Sequence, residues 1–151
     1  GREVRLKHAY VIKCEEVIKN EGGEIVELHC TYDPETRSGS TQDGRKVKGT
    51  LHWVSARHAL KAEVRLYNHL FTHENPADEK VCPDLKSSLN TNSLEIVKEA
   101  FLEPSLKHAT GRFQFLRLGY FCSDNKSSNS SSQVFNRIVT LRDSWAKIVK
   151  K

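Results

Sequence analysis

Residues 111–122 read GRFQFLRLGYFC, a stretch in which large apolar side chains alternate with polar ones. Successive side chains of a β-strand point to opposite faces. Arg112 and Gln114 would therefore share one face, while Phe113 and Phe115 would share the other. The pattern predicts a strand with one packed, aromatic face and one polar face that is open to a partner.

Similar alternation predicts further strands at 3–7, 10–14, 24–32, 47–54, 62–71 and 134–141. Residues 94–102 fit a strand or a helix. The sequence Asn-Glu-Gly-Gly at 20–23 is a tight-turn signal, so we expect an antiparallel hairpin around it. Many short strands and few helical stretches predict an all-β fold with barrel architecture and a few short helices.

Composition narrows the class of protein. The 151 residues suit one domain or two small ones, and 37% hydrophobic content with a mean hydropathy of -0.59 supports a core but no membrane span. No signal peptide is visible, so we expect a cytoplasmic protein. Because the chain begins without Met inside a predicted strand, we expect a piece of a longer protein.

A net charge of +5 and a pI near 9.1 favour a polyanionic partner such as nucleic acid, although any one basic cluster fits a solvated surface equally well. The basic residues cluster at Arg2, Arg5, Lys7 and Lys13, at Arg45, Lys46 and Lys48, and at Arg137, Arg142, Lys147, Lys150 and Lys151.

The cysteines and histidines predict no metal site. The four cysteines are far apart and form no C-x-x-C pair, which favours buried free thiols in a reducing compartment. His69 and His73 would share a helix face, but their surroundings resemble a strand that runs into a loop containing Pro76.

Seven stretches, in this order, closely resemble the C-terminal anticodon-binding region of bacterial glutaminyl-tRNA synthetases. They are GREVRLKHAYVIKCEEV, CTYDPET, GRKVKGTLHWVSARHA, EVRLYNHLF, EPSLKHA, RFQFLRLGYFC and VFNRIVTLRDSWAK. The resemblance implies two adjacent β-barrels. Residues 1–90 would form mainly the distal barrel, and residues 91–151 the returning part of the proximal barrel.

The resemblance also implies a function. The intact protein would be a monomeric class I ligase that attaches glutamine to its tRNA, using ATP and Mg bound upstream. This chain contains neither an H-I-G-H nor a K-M-S-K-S sequence, so we expect no catalytic residue and no cofactor in it. Its partners would be glutamine tRNA and its own catalytic domain, without a membrane.

By the same resemblance, Gln114 and Arg117 match positions that read the middle anticodon base and its surroundings, and Arg5 matches one beside the wobble base. Lys7 and Arg142 are possible contacts to the RNA backbone. An amide can donate to and accept from a base edge, and a guanidinium can stack on a base or hold phosphate.

Two features of this segment leave questions open. Gln114 and Arg117 are three residues apart, so a regular strand would direct them to opposite faces, and both can reach RNA only at a twist, bulge or barrel edge. Leu116 stands where bacterial relatives often have Glu. Either the site orients Arg117 in another way, or it accepts packing in place of charge.

The aromatic residues could form a stacking platform for bases, but we expect them to pack the core, since barrel interiors need large apolar side chains. This expectation covers Phe113, Phe115, Tyr120, Phe121, Trp53 and Trp145. Three other functions stay possible. They are the anticodon-binding region of a eukaryotic or archaeal-type glutamyl-tRNA synthetase, a stand-alone rRNA-binding barrel protein, and a metal-binding structural module. The stretch HWVSARHA favours glutamine specificity over the first of them.

Overall fold

A computed structural model describes residues 1–37, 41, 43–80, 82–129 and 131–141. The chain divides into two compact units, Gly1–Trp53 and Val54–Lys151. Each unit is built on one β-sheet, and the helical segments in the described residues are short 3-10 turns at Pro34–Thr36, Leu85–Ser88 and Pro104–Leu106. The predicted all-β class is confirmed.

The first unit contains a four-stranded sheet in the order β3-β2-β1-β4. The strands are β1 (Glu3–Leu6), β2 (Val11–Lys19), β3 (Ile25–Asp33) and β4 (Thr50–Leu51). β2 pairs with both β1 and β3 in antiparallel fashion, whereas β4 runs parallel to β1. The turn between β2 and β3 uses Gly23 at a φ of 81°, which confirms the hairpin predicted around 20–23.

Arg45 ties the segment before β4 to the rest of the first unit. Its guanidinium donates to Glu3 (3.0 Å), Asp33 (2.5 Å) and Asp43 (2.6 Å). Its hydrogen bonds to the three carboxylates, that to Asp33 first, raise the pKa of Arg45. Since Glu3 lies on β1 and Asp33 ends β3, a single cation fastens this connection to two strands.

The second unit contains a five-stranded sheet in the order β6-β5-β9-β8-β7. The strands are β5 (Leu60–Tyr67), β6 (Leu94–Leu102), β7 (Arg112–Phe115), β8 (Gly119–Ser123) and β9 (Gln133–Val139). The pairing of β5 with β9 is parallel, and the other pairings are antiparallel. Residues 94–102, which fitted a strand or a helix, form strand β6.

The core of the second unit is aromatic. Phe121 and Phe135 are fully buried, and Phe113 and Phe115 pack against them. The rings of Phe115 and Phe121 stack at 4.2 Å, while Phe113 meets Phe135 edge-on at 5.9 Å. The expected core role of Phe113, Phe115 and Phe121 is confirmed, and Phe135 packs with them although the sequence interpretation did not name it.

Two other aromatic residues expected in the core lie at the surface. Tyr120 and Trp53 are each 45% exposed. Tyr120 alternates with the buried Phe121 on β8 and so points away from the core. Trp53 lies beyond the end of the short strand β4, and its indole N–H donates to the carbonyl of Lys7 at 3.0 Å. Trp145 lies outside the described residues.

The assignment of 1–90 to a distal barrel and 91–151 to a proximal barrel stays a prediction, and the compact units divide the chain at a different place, after Trp53. Across the described residues, the paired strands form two open ladders. In that part of the chain no helix is long and apolar enough to cross a membrane, and no group of three metal-ligating side chains meets.

Asp124 organises the loop between β8 and β9. Its carboxylate accepts the backbone N–H groups of Lys126 and Ser127 (both 3.0 Å), the amide of Asn136 (3.0 Å) and the guanidinium of Arg65 (3.3 Å). Hydrogen bonds from the backbone N–H of Ser127, the Asn136 amide and the backbone N–H of Lys126 lower the pKa of Asp124 to about 2. The ionised carboxylate therefore holds the loop against β5 and β9.

We expect Asp124→Asn to destabilise the protein by about 1 to 3 kcal/mol at neutral pH, because it removes the charge that four donors share. The folded pKa lies below the unfolded one, so this stability is present above about pH 4 and is lost as the pH falls towards 2. Urea unfolding should show the two proteins converging over that range. Glu99→Gln, which removes a 72% exposed carboxylate, should cost less than about 0.5 kcal/mol. A constant difference between wild type and Asp124→Asn down to pH 2 would contradict the assignment.

Candidate nucleic-acid interface

The hairpin of β7 and β8 forms one edge of the five-stranded sheet. Phe113 pairs with Phe121 on the core side, and Gln114 pairs with Tyr120 on the opposite side. Both Gln114 and Tyr120 are exposed. We call the side that carries Arg112, Gln114, Tyr120 and Cys122 the outer face of the hairpin. As predicted, β7 has one aromatic face in the core and one polar face open to a partner.

Arg117 lies in the three-residue loop that joins β7 to β8, rather than on a strand. Its φ of 65° places it in the left-handed region, and the following N–H, that of Leu118, donates to the Phe115 carbonyl at 2.9 Å. Strand alternation therefore does not apply to Arg117. The conflict between Gln114 and Arg117 disappears, because the chain turns between them.

Leu116, which opens this loop, is half-buried. A half-buried leucine in the loop supports the second of the two sequence interpretations, namely that packing replaces charge at this position. The next residue, Arg117, is exposed. The loop thus has one apolar side chain partly covered and one cation in solvent.

Within the described residues, the side chains of Gln114 and Arg117 make no hydrogen bond or ion pair with the protein. Their donors and acceptors are therefore available to a ligand. A glutamine amide can match both a donor and an acceptor on a base edge, and a guanidinium can stack on a base or bind a phosphate in bidentate fashion. This combination suits a single-stranded RNA loop with splayed bases.

Arg5 and Lys7 belong to the first unit. Arg5 is half-buried on β1, between Val11 and Thr50, and one of its guanidinium nitrogens donates to the Thr36 carbonyl at 2.9 Å. That bond orients the guanidinium and leaves its remaining donors for a ligand.

Lys7 follows β1, and its backbone is held at both ends. Its N–H donates to the Leu51 carbonyl at 2.9 Å, and its carbonyl accepts the indole N–H of Trp53 at 3.0 Å. The side chain is half-buried. Arg142, the other possible backbone contact, lies outside the described residues.

Two arginines from the basic clusters of the sequence serve the fold instead. Arg45 binds three carboxylates, as described above. Arg137 donates to the Tyr67 carbonyl (3.0 Å) and to the amide oxygen of Asn68 (2.7 Å), which fastens β9 to the end of β5. The number of basic residues in the sequence is therefore larger than the number of cations available to bind an anionic partner.

Tyr120 is the residue of this face that the sequence interpretation assigned wrongly. It is directly opposite Gln114 across the hairpin, and its ring is 45% exposed. The signal was present in the sequence, because Tyr120 alternates with Phe121 and only one of two neighbours on a strand can face the core. An exposed aromatic ring beside a free amide and near a cation can stack on a base.

Two models of known families match the chain. One covers residues 1–33 and the other residues 50–124, and both describe the anticodon-binding domain of class I tRNA synthetases for Glu and Gln. The chain belongs to this family. The matched segments of the anticodon-binding domain include Arg5 and Lys7 in the first and the β7–β8 hairpin with Gln114 and Arg117 in the second.

Curated relatives of this anticodon-binding domain are named glutamine-tRNA ligases. The one from Vibrio parahaemolyticus is 54% identical over 150 residues, which cover 98% of this chain and 26% of the relative. That from Proteus mirabilis is 52% identical over 153 residues, covering 100% of this chain and 27% of the relative. An Escherichia coli ligase is 52% identical over 150 residues. The chain thus spans only 26% to 27% of the length of the first two relatives.

Proposed function

We propose that this anticodon-binding domain recognises the anticodon loop of glutamine tRNA, as part of a longer glutamine-tRNA ligase. The observation that carries the proposal is the β7–β8 hairpin, which presents Gln114 and Arg117 exposed inside a matched family segment and, among the described residues, without a hydrogen bond or ion pair. The names of the relatives support the choice of glutamine. The family match argues against the alternative of a stand-alone rRNA-binding barrel protein.

Each side chain has a role in this proposal. Gln114 reads the pairing edge of the middle anticodon base, and Arg117 holds the base or its phosphate from the adjoining loop. Tyr120, across from Gln114, offers its exposed ring for stacking. Arg5 acts beside the wobble base, with its guanidinium oriented by the Thr36 carbonyl, and Lys7 and Arg142 contact the RNA backbone.

The rest of the reaction belongs to the longer protein. An upstream catalytic domain would bind ATP and Mg and attach glutamine as a class I ligase, in a cytoplasmic monomer. This chain would contribute tRNA recognition without chemistry of its own, with residues 1–90 in the distal barrel and 91–151 in the proximal one.

We expect Arg117→Ala to weaken binding of the anticodon stem-loop of glutamine tRNA by a factor that corresponds to about 1 to 3 kcal/mol. The reason is the loss of an exposed cation that no protein group neutralises within the described residues. Fluorescence anisotropy with labelled stem-loop at fixed low salt measures the change. Arg57→Ala removes another exposed arginine of the same unit and is the matched control. Equal losses for the two variants would remove Arg117 from the recognition set.

A second candidate is glutamate tRNA, because the family description covers synthetases for both amino acids. The two tRNAs can be compared directly as stem-loops in the same assay. Tighter binding of the glutamine stem-loop supports the proposal. Tighter binding of the glutamate stem-loop would move the domain to the glutamyl branch, and no binding of either would refute recognition by this chain.

A further inference from the structure

Two cysteines face each other across the first hairpin. Cys14 on β2 is the register partner of Cys30 on β3. The bulge in this ladder begins after Cys14, so the pair itself stays in register. Opposed residues on antiparallel strands project to the same face of the sheet, which brings the two thiols side by side.

The backbone hydrogen bonds show which kind of pair this is. The N–H of Leu6 donates to the Tyr10 carbonyl at 2.9 Å, one step beyond the register pair of Arg5 and Val11. The backbone N–H and C=O of Tyr10 therefore point towards β1. These groups alternate in direction along a strand, so Cys14, four residues later, also directs its N–H and C=O towards β1 and away from β3. The pair of Cys14 and Cys30 is then a non-hydrogen-bonded pair, the type with the closer side chains. Pairs of this type have a Cα separation of about 4.5 Å, which lies inside the range that a disulfide spans.

Neither thiol of the pair is buried, contrary to the buried free thiols that the sequence predicts. Cys30 is exposed and Cys14 is half-buried. Each thiol donates to a carbonyl of its own strand, Cys14 to that of Glu16 (3.4 Å) and Cys30 to that of Leu28 (3.9 Å). Partial desolvation, followed by the charge and hydrogen bond of Cys14, raises the pKa of Cys30.

We propose that Cys14 and Cys30 form a dithiol site that hydrogen peroxide converts to a cross-strand disulfide. One sulfur of the pair attacks the peroxide as its thiolate, so an S–O bond forms, the O–O bond breaks, and the departing hydroxide takes up the thiol proton and leaves as water. The second sulfur then attacks this sulfenic acid, the S–S bond forms, the S–O bond breaks, and the hydroxide leaves with the second thiol proton as water. The two sulfurs lose two electrons, and peroxide is reduced to water.

The other two cysteines lack this geometry. Cys122 is opposite Arg112 and Asn136 on its two neighbouring strands, and Cys82 is buried near the end of a turn that begins at Asp78. Both belong to the second unit. The site needs only the β2–β3 hairpin, so its test does not rely on the proposed RNA-binding residues.

The test treats the reduced 151-residue chain with a small excess of hydrogen peroxide, blocks the remaining thiols and digests with trypsin. Cleavage after Lys13, Lys19 and Arg37 places Cys14 in peptide 14–19 and Cys30 in peptide 20–37. We expect these two peptides joined, two thiols lost per chain, and reversal by dithiothreitol. Cys14→Ser and Cys30→Ser should abolish the joined peptide, while Cys122→Ser should leave it unchanged.

The wild-type peptide map decides the matter even if a serine variant folds poorly. Separate sulfinic acids on Cys14 and Cys30, a disulfide that includes Cys82 or Cys122, or disulfide-linked dimers alone would each overturn the proposal. The wild-type protein is also oxidised at lower concentrations, where chains rarely meet. An unchanged yield of the joined peptide would support the proposal, because an intramolecular disulfide does not depend on protein concentration.

Discussion

Replacing Phe135 with alanine is expected to destabilise the second unit by about 3 to 5 kcal/mol. The side chain is fully buried, and β9 lies between β5 and β8 in the sheet, so the void opens in the middle of the unit. Its ring centroid also lies 5.9 Å from that of Phe113 and 5.7 Å from that of Phe115. Both neighbours belong to strand β7, so we expect neither ring to move far enough to fill the void. Few single changes in this unit remove more packing.

The measurement for Phe135→Ala has to separate the two units. Hydrogen exchange read by peptide does so, since amides of β5, β8 and β9 report on the second unit and those of β1 and β2 on the first. The control is Phe101→Ala on β6, whose ring is 48% exposed and should cost less than about 1 kcal/mol. Similar losses of protection in both variants would mean that Phe135 is not the centre of the core.

Much of the fold follows from strand periodicity. Residues 20–23 specify a turn by their own chemistry, because Gly23 takes a positive φ at no steric cost. The alternation of Phe113 with Gln114 likewise fixes which face of β7 is buried. Such local signals need no knowledge of the rest of the chain, and for this reason they were reliable.

The errors arose where a residue's environment depends on distant parts of the chain. The predicted strand at 47–54 shrinks to Thr50–Leu51, because Arg45 fastens the segment before it through side chains instead of a ladder. Trp53 is large and apolar, yet it lies past the last paired residue of β4 and is 45% exposed. Burial of such residues is decided by tertiary contacts that periodicity does not contain.

For the candidate site, the sequence supplied the residue types and the structure supplied their geometry. Gln114 and Arg117 were predicted from a resemblance, but a strand could not present both on one side. The left-handed φ of Arg117 removes that obstacle, and nothing in the residue type announces it, since non-glycine residues rarely adopt this conformation. The backbone conformation of this loop is therefore the feature of the site that could not be predicted from the sequence.

Gly119→Ala tests that turn directly. Gly119 has a φ of 152°, and a Cβ placed on it would lie 2.6 Å from the carbonyl oxygen of Val139 on the neighbouring strand β9. Since this atom is backbone, β8 and β9 must separate to accept a methyl group. We expect a loss of about 2 to 4 kcal/mol, from backbone strain and a weakened ladder bond together. Chemical unfolding of the variant measures it.

Gly111→Ala is the matched control, because Gly111 also has a positive φ, 128°, but nothing lies within 4 Å of its added Cβ. It should show backbone strain alone, about 1 kcal/mol. Gly119 also ends the loop that holds Arg117, so its variant should lose stem-loop affinity at temperatures where it is still folded, and Gly111→Ala should lose less. If the two variants are equally stable and bind equally well, then the close approach of β8 to β9 does not set the position of Arg117.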